Sequence, residues 1–203
     1  MDRLADLSLD ELLAAVAART PTPGGGAVAA AVGALASALG QMALAYSAGA
    51  KTPPDVRAAL DDAMGRFARA RTLLMELAAE DAHAFERLQE SQRLPKDSPD
   101  RPERLAAAAE LALGPPRATL AACSDLLRLM ESIAPSCSRF LRSDLAIAAV
   151  LADAAARASR WNIRVNLPLL RDDHARETAG AGADAIVDAC DARRRRVEET
   201  CLG

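Results

Sequence analysis

Asp81 stands in Leu77-Ala-Ala-Glu-Asp-Ala-His-Ala-Phe85, one turn beyond Leu74, Leu77 and Ala78 on the same side of a helical pattern. Burying an acidic side chain on such a face is costly unless it is satisfied or used, so Asp81 is the first candidate for proton transfer or for stabilising a cation. Glu80 and His83 point the other way, toward solvent. Asn162 and Asn166, spaced i, i+4, share one face of a later helix, with Arg164 directed elsewhere. Paired amides suit recognition of a flat heterocycle and equally an inter-helix hydrogen-bond network. Ser143 and Asp144 stand at the mouth of that helix, as caps or as site residues. Thr20-Pro-Thr-Pro-Gly-Gly-Gly26 is a stiff turn opening a helix whose first N–H groups can hold an anion or a polarised carbonyl. As a plain alternative, Gly24, Gly25 and Gly26 form only a flexible cap.

These groups require long helices to hold them. Hydrophobic residues make up 51% of the 203-residue chain but aromatics only 2%, so Ala and Leu fill the core. That favours closely approaching helices over a sheet, and the expected fold is an all-α antiparallel bundle with long Ala-rich helices, a single domain over 1–203. Ser8 and Glu11 form a capping-box pattern for a first helix reaching about Arg19. Ala27 to about Ser47 carries small residues nearly all round and must be enclosed by other helices or a second subunit. It is about long enough to span a membrane, yet Gln41 and the lack of flanking Lys/Arg or aromatics favour a buried helix, so no membrane partner is expected. The third helix, Asp55 to about Gln92, is roughly 55 Å long, which implies that it protrudes or bends. Helices follow at about Pro102–Leu113 and Arg117–Ile133, separated by Gly114-Pro-Pro116, then at Asp144–Asn166 and Asp172–Glu199.

The net charge of −3, with acidic and basic residues interspersed, gives no nucleic-acid footprint. Cys123, Cys137, Cys190 and Cys201 lack CxxC spacing and lie far from both histidines, so neither a metal site nor a disulfide framework is expected. Reduced thiols and an N-terminus without a signal-peptide pattern point to a cytoplasmic protein. The basic run Arg193 to Arg196 reads as the solvated end of the last helix.

Taken in order, the Pro-Thr-Pro-Gly-Gly-Gly turn, Asp81-Ala-x-Ala-Phe85, Arg93-Leu-Pro-Lys96, Arg142-Ser-Asp-Leu145 and Asn162-x-x-x-Asn166 resemble the cyclodeaminase/cyclohydrolase family of folate one-carbon metabolism, from about Leu9 to Glu199. The resemblance implies a homodimer that binds a tetrahydrofolate derivative in a cleft near the dimer interface. It implies Asp81 as the catalytic carboxylate, joined by Asp144. Pro23, Gly24, Gly25, Gly26, Lys51, Ser143, Asn162 and Asn166 become substrate-binding. Arg93 and Lys96, or the C-terminal arginines, would meet the anionic glutamate tail. The reaction it implies is hydrolysis of 5,10-methenyltetrahydrofolate to 10-formyltetrahydrofolate, with folate as substrate and no further cofactor. Ammonia-releasing cyclodeamination of 5-formiminotetrahydrofolate is the alternative. The chain departs from the family pattern at Cys137-Ser138 and at Gly49-Ala-Lys-Thr-Pro53, where only Lys51 remains, and a catalytically inactive folate-binding dimer is the third reading.

Overall fold

A computed structural model describes residues 4–49 and 52–203; Lys51 lies outside them. Among the described residues there is no strand. Six α-helices carry the structure: α1 Leu9–Ala17, α2 Gly25–Ala45, α3 Pro54–Arg93, α4 Arg101–Ile133, α5 Arg142–Asn166 and α6 Asp173–Leu202. α2 packs between α3 and α5, α4 lies against the same two helices, and α6 closes on α4 and α5.

The thinness of α2 sets the geometry. Gly26, Gly33 and Gly40 recur every seven residues and face Asp81, Leu74 and Phe67 of α3, which recur every seven in the opposite direction. The two helices therefore run antiparallel with the seven-residue register of closely packed bundles. A Cβ on Gly40 would come within 2.8 Å of Phe67 Cε1, and one on Gly33 within 3.1 Å of Cys123 Sγ, so the glycines are what admit this approach. Ser37, between them, donates its hydroxyl to the Phe67 carbonyl at 2.6 Å. α2 is long and apolar enough to cross a membrane by length and composition, but more than half of it is buried inside the protein.

Local signals explain most boundaries. The Ser8–Glu11 capping box forms, with the Ser8 N–H donating to Glu11 Oε2 at 2.7 Å, and Asp172 caps α6 by accepting from the His174 N–H at 2.9 Å. α1 buries none of its residues, leaving Leu9, Leu13 and Val16 exposed. α3 does not project alone: beyond Leu77 it pairs with α4, where Leu88 packs on Ala108 and Ala112.

Two expectations fail. Gly114-Pro-Pro116 does not divide two helices, because α4 runs unbroken from Arg101 to Ile133 with Pro115 and Pro116 buried inside it. Each interior proline removes the bond its own N–H would make and crowds the carbonyl four residues back, while Gly114, lacking a Cβ, relieves the clash that the Pro115 ring imposes on the residue before it. Ser143 is not the N-cap of α5 either. The helix starts at Arg142, the cap position is Leu141 without a side-chain bond, and Ser143 lies exposed in the first turn.

Candidate functional site

Where α2 begins, Gly24 occupies the cap position and contributes no side chain, and the first intrahelical bond is Val28 N–H to Gly24 O at 3.1 Å. The N–H groups of Gly25, Gly26 and Ala27 are therefore left without helical partners, at the positive end of the helix. Asp81 of α3 occupies the Gly26 rung: a Cβ at position 26 would collide with Oδ1, Cγ and Oδ2 of its carboxyl group. The helix thus begins with glycine because a carboxylate sits where a side chain would be. Burial pushes the Asp81 carboxyl above its ordinary value of 3.8, and a backbone hydrogen bond from Ala27 opposes this only in part. Among the described residues no basic side chain pairs with it. Desolvation without a counter-charge leaves a base that holds its proton more readily than a surface aspartate.

The facing wall comes from α5. Asn162 donates Nδ2 to the Ala158 carbonyl one turn back at 3.1 Å, and its Oδ1 stands 3.6 Å from the Cβ position of Gly25. Asn166 donates Nδ2 to the Ala112 carbonyl of α4 at 3.3 Å. The cavity enclosed holds about 280 Å³ and is lined by Thr22, the three glycines, Asp81, Phe85, Asn162 and Asn166, with Ala112 and Val165 closing it. Helix N–H donors thus face side-chain oxygen acceptors across a partly apolar slot, with one carboxylate inside. Such a slot suits a flat, polar heterocycle, and Asp81 is placed to hold a positive charge on it or to take a proton from water.

The structure brings together Asp81, Gly24, Gly25, Gly26, Asn162 and Asn166. Lys51 lies outside the described residues, and the other expected residues are not brought there. Ser143 and Asp144 lie in the first turn of α5, Asp144 being 18 residues before Asn162, which is about 27 Å along the helix. Pro23, joined to Thr22 by a cis peptide bond, is buried and faces an apolar groove with Leu12, Val16 and Val28. Arg93 and Lys96 are exposed at and beyond the end of α3, Arg93 about 18 Å along the helix from Asp81. Arg193 to Arg196 are not a solvated tail: they pair with Glu131, Asp153, Asp191 and Glu198. Glu80 and His83 do face outward.

Thr22, Phe85, Ala112 and Val165 were not anticipated. Phe85 carried a signal, being one turn from Asp81 on the same face. Ala112 carried none, since its part depends on α4 continuing through its prolines.

The model of the formiminotransferase-cyclodeaminase family matches residues 8–185. A methenyltetrahydrofolate cyclohydrolase of Methylorubrum extorquens is 27% identical over 95% of this chain and 95% of its own. A formimidoyltransferase-cyclodeaminase of Sus scrofa is 30% identical over 78% of this chain, which spans only 30% of that longer protein. Among solved structures, formiminotetrahydrofolate cyclodeaminase from Thermotoga maritima superposes with a TM-score of 0.90 at 28% identity, covering 98% of each chain.

Proposed function

Because the chain belongs to the formiminotransferase-cyclodeaminase family, we propose that it is a folate one-carbon enzyme that hydrolyses 5,10-methenyltetrahydrofolate to 10-formyltetrahydrofolate. The observation that carries this reading is the Asp81 carboxyl, seated against the glycine start of α2 without a counter-cation among the described residues and facing two asparagines across the cavity. The reacting carbon of the substrate belongs to an amidinium cation. Asp81 balances that charge and takes a proton as water adds to the carbon. The bond from that carbon to N5 then breaks as N5 takes the proton back from Asp81, the hydroxyl proton leaves to solvent, and the formyl group stays on N10. The end-to-end match to a cyclohydrolase favours this reaction over those of the longer relatives.

A cavity of about 280 Å³ suits the bicyclic head of a folate rather than the whole molecule. The tail then runs outward, and Arg93 and Lys96 are the exposed cations we assign to it. No cofactor beyond the folate substrate is part of this scheme, and the compartment we assign is the cytoplasm. A homodimer completes it. The exposed apolar residues of α1 and, separately, Ile147, Val150 and Trp161 along α5 are the apolar surface we assign to a second copy. Light scattering is expected to give twice the mass of one chain.

The second reading, cyclodeamination of 5-formiminotetrahydrofolate, is favoured by the likeness to the Thermotoga maritima enzyme. One experiment separates the readings. The near-ultraviolet absorbance of methenyltetrahydrofolate is followed with and without the protein, against its spontaneous hydrolysis. Saturable acceleration supports the cyclohydrolase. Acceleration only of ammonia release from the formimino substrate supports the second reading, and binding without turnover of either supports an inactive folate-binding dimer.

A further inference from the structure

Two consecutive prolines inside a buried helix are costly, since proline is the poorest residue at an ordinary interior position. Pro115 and Pro116 leave two α4 carbonyls without their usual N–H donors, those of Leu111 and Ala112. The two carbonyls have different surroundings. Leu111 is exposed on the outer side of α4, whereas Ala112 is buried and lines the candidate cavity. The Ala112 carbonyl is also the one that Asn166 Nδ2 reaches, at 3.3 Å. A buried carbonyl requires a donor, and with any residue but proline at 116 the helix itself would supply one.

An amide whose NH₂ is committed to a carbonyl turns its oxygen the other way. Asn162 is held in the same sense by its own helix, Nδ2 donating to the Ala158 carbonyl at 3.1 Å. The α5 wall is therefore weighted toward acceptors, each amide keeping its oxygen uncommitted and one of its two N–H bonds already used.

We propose that Pro116 is a positioning residue of the cavity: by withholding an N–H it reserves the Ala112 carbonyl for Asn166 and weights the α5 wall toward acceptors. The ligand edge that fits such a wall carries neighbouring N–H donors, as a 2-amino-substituted heterocycle does. The identity of that ligand rests on the function proposed above. The orientation of Asn166 does not.

The test uses the full chain with Pro116→Ala, Pro116→Leu (which keeps more of the buried volume), Pro115→Ala, Asn166→Ala and the double variant Pro116→Ala/Asn166→Ala. The first readout needs no ligand. The side-chain amide signal of Asn166 in a ¹H–¹⁵N spectrum, assigned by its loss in Asn166→Ala, is expected to shift and to exchange with solvent about fivefold faster in both Pro116 variants. In Pro115→Ala it stays where it was. An Asn166 signal unchanged by both Pro116 substitutions overturns the proposal, whatever the protein catalyses. The second readout is kinetic. The KM for methenyltetrahydrofolate is expected to rise about fivefold in Pro116→Ala with kcat within about twofold of the parent. Adding Pro116→Ala to Asn166→Ala is expected to change nothing further. An undiminished effect in the double variant means that Pro116 acts without Asn166 and overturns the proposal. Should the parent protein turn over no folate, the function reading fails by itself and the amide signal still decides the role of Pro116.

Discussion

Asp153 and Asp81 both turn inward from Ala-rich helices of this bundle, and the fold treats them in opposite ways. Asp153 of α5 is almost wholly buried, and it is paired: Arg157 Nε lies 2.7 Å from its Oδ2 and Arg194 Nε 3.5 Å away, with Asp191 and Glu198 completing the network. Asp81 of α3 is only half-buried, yet among the described residues it faces backbone N–H groups and amides with no cation, and burial raises its pKa. A buried acid that has found its counter-charge is structural. One that has been given room, partial desolvation and no partner is available to a cationic ligand.

The sharpest way to break that contrast is Asp81→Asn. Turnover is expected to fall about 100-fold or more in the absorbance assay, with no loss of thermal stability. Retained turnover would remove Asp81 from the chemistry. Gly26→Ala tests the room beside the carboxylate. The added methyl must displace Asp81, and kcat/KM is expected to drop about 10- to 100-fold although alanine is the better helix former. Gly40→Ala, on the Phe67 rung of the same ladder, is the control. It is expected to cost about 1–3 kcal/mol in denaturant unfolding and to leave kcat alone.

Asp153→Asn belongs to the other side of the comparison. It strands Arg157 and Arg194, and a stability loss of about 2 kcal/mol is expected, below the fully buried range because Arg157 is 44% exposed. Activity per folded molecule should persist, and a turnover loss like that of Asp81→Asn would erase the distinction. The smallest effect is on pH. With its pKa raised, Asp81 is protonated at pH values where a surface aspartate is already charged, so the acid limb of kcat/KM is expected to have its midpoint above 3.8. The native state then holds more protons than the unfolded chain between 3.8 and the raised value. This group's contribution to stability therefore falls as pH rises through that window, a slope that Asp81→Asn flattens.

Much of this was legible before folding was considered. The all-helical class follows from a core rich in Ala and poor in aromatics. The Ser8–Glu11 box, the start of α3 within one residue of the expected Asp55 and the break after Asn166 follow from local capping and proline chemistry. Asp81 stood out because an acid on an apolar helical face needs a reason, and the asparagine pair because i, i+4 spacing places both on one side.

What the chain order left undetermined was which helix ends meet. The resemblance put Asp144 and Ser143 in the site with Asn166, but a helix separates its two ends by its full length, and the start of α2 meets Asp81 at the end that carries the asparagines. The arginine run looked solvated because its partners Glu131 and Asp153 are distant in sequence and adjacent only once α6 lies on α4 and α5. Gly24 to Gly26 read equally as a loose cap or a binding turn until the antiparallel register of α2 on α3 set Asp81 against Gly26. Residue types fix local conformation and burial preference within a few turns. The meeting of a carboxylate, a helix start and two amides from three separated segments depends on packing, and packing is decided by the whole bundle at once.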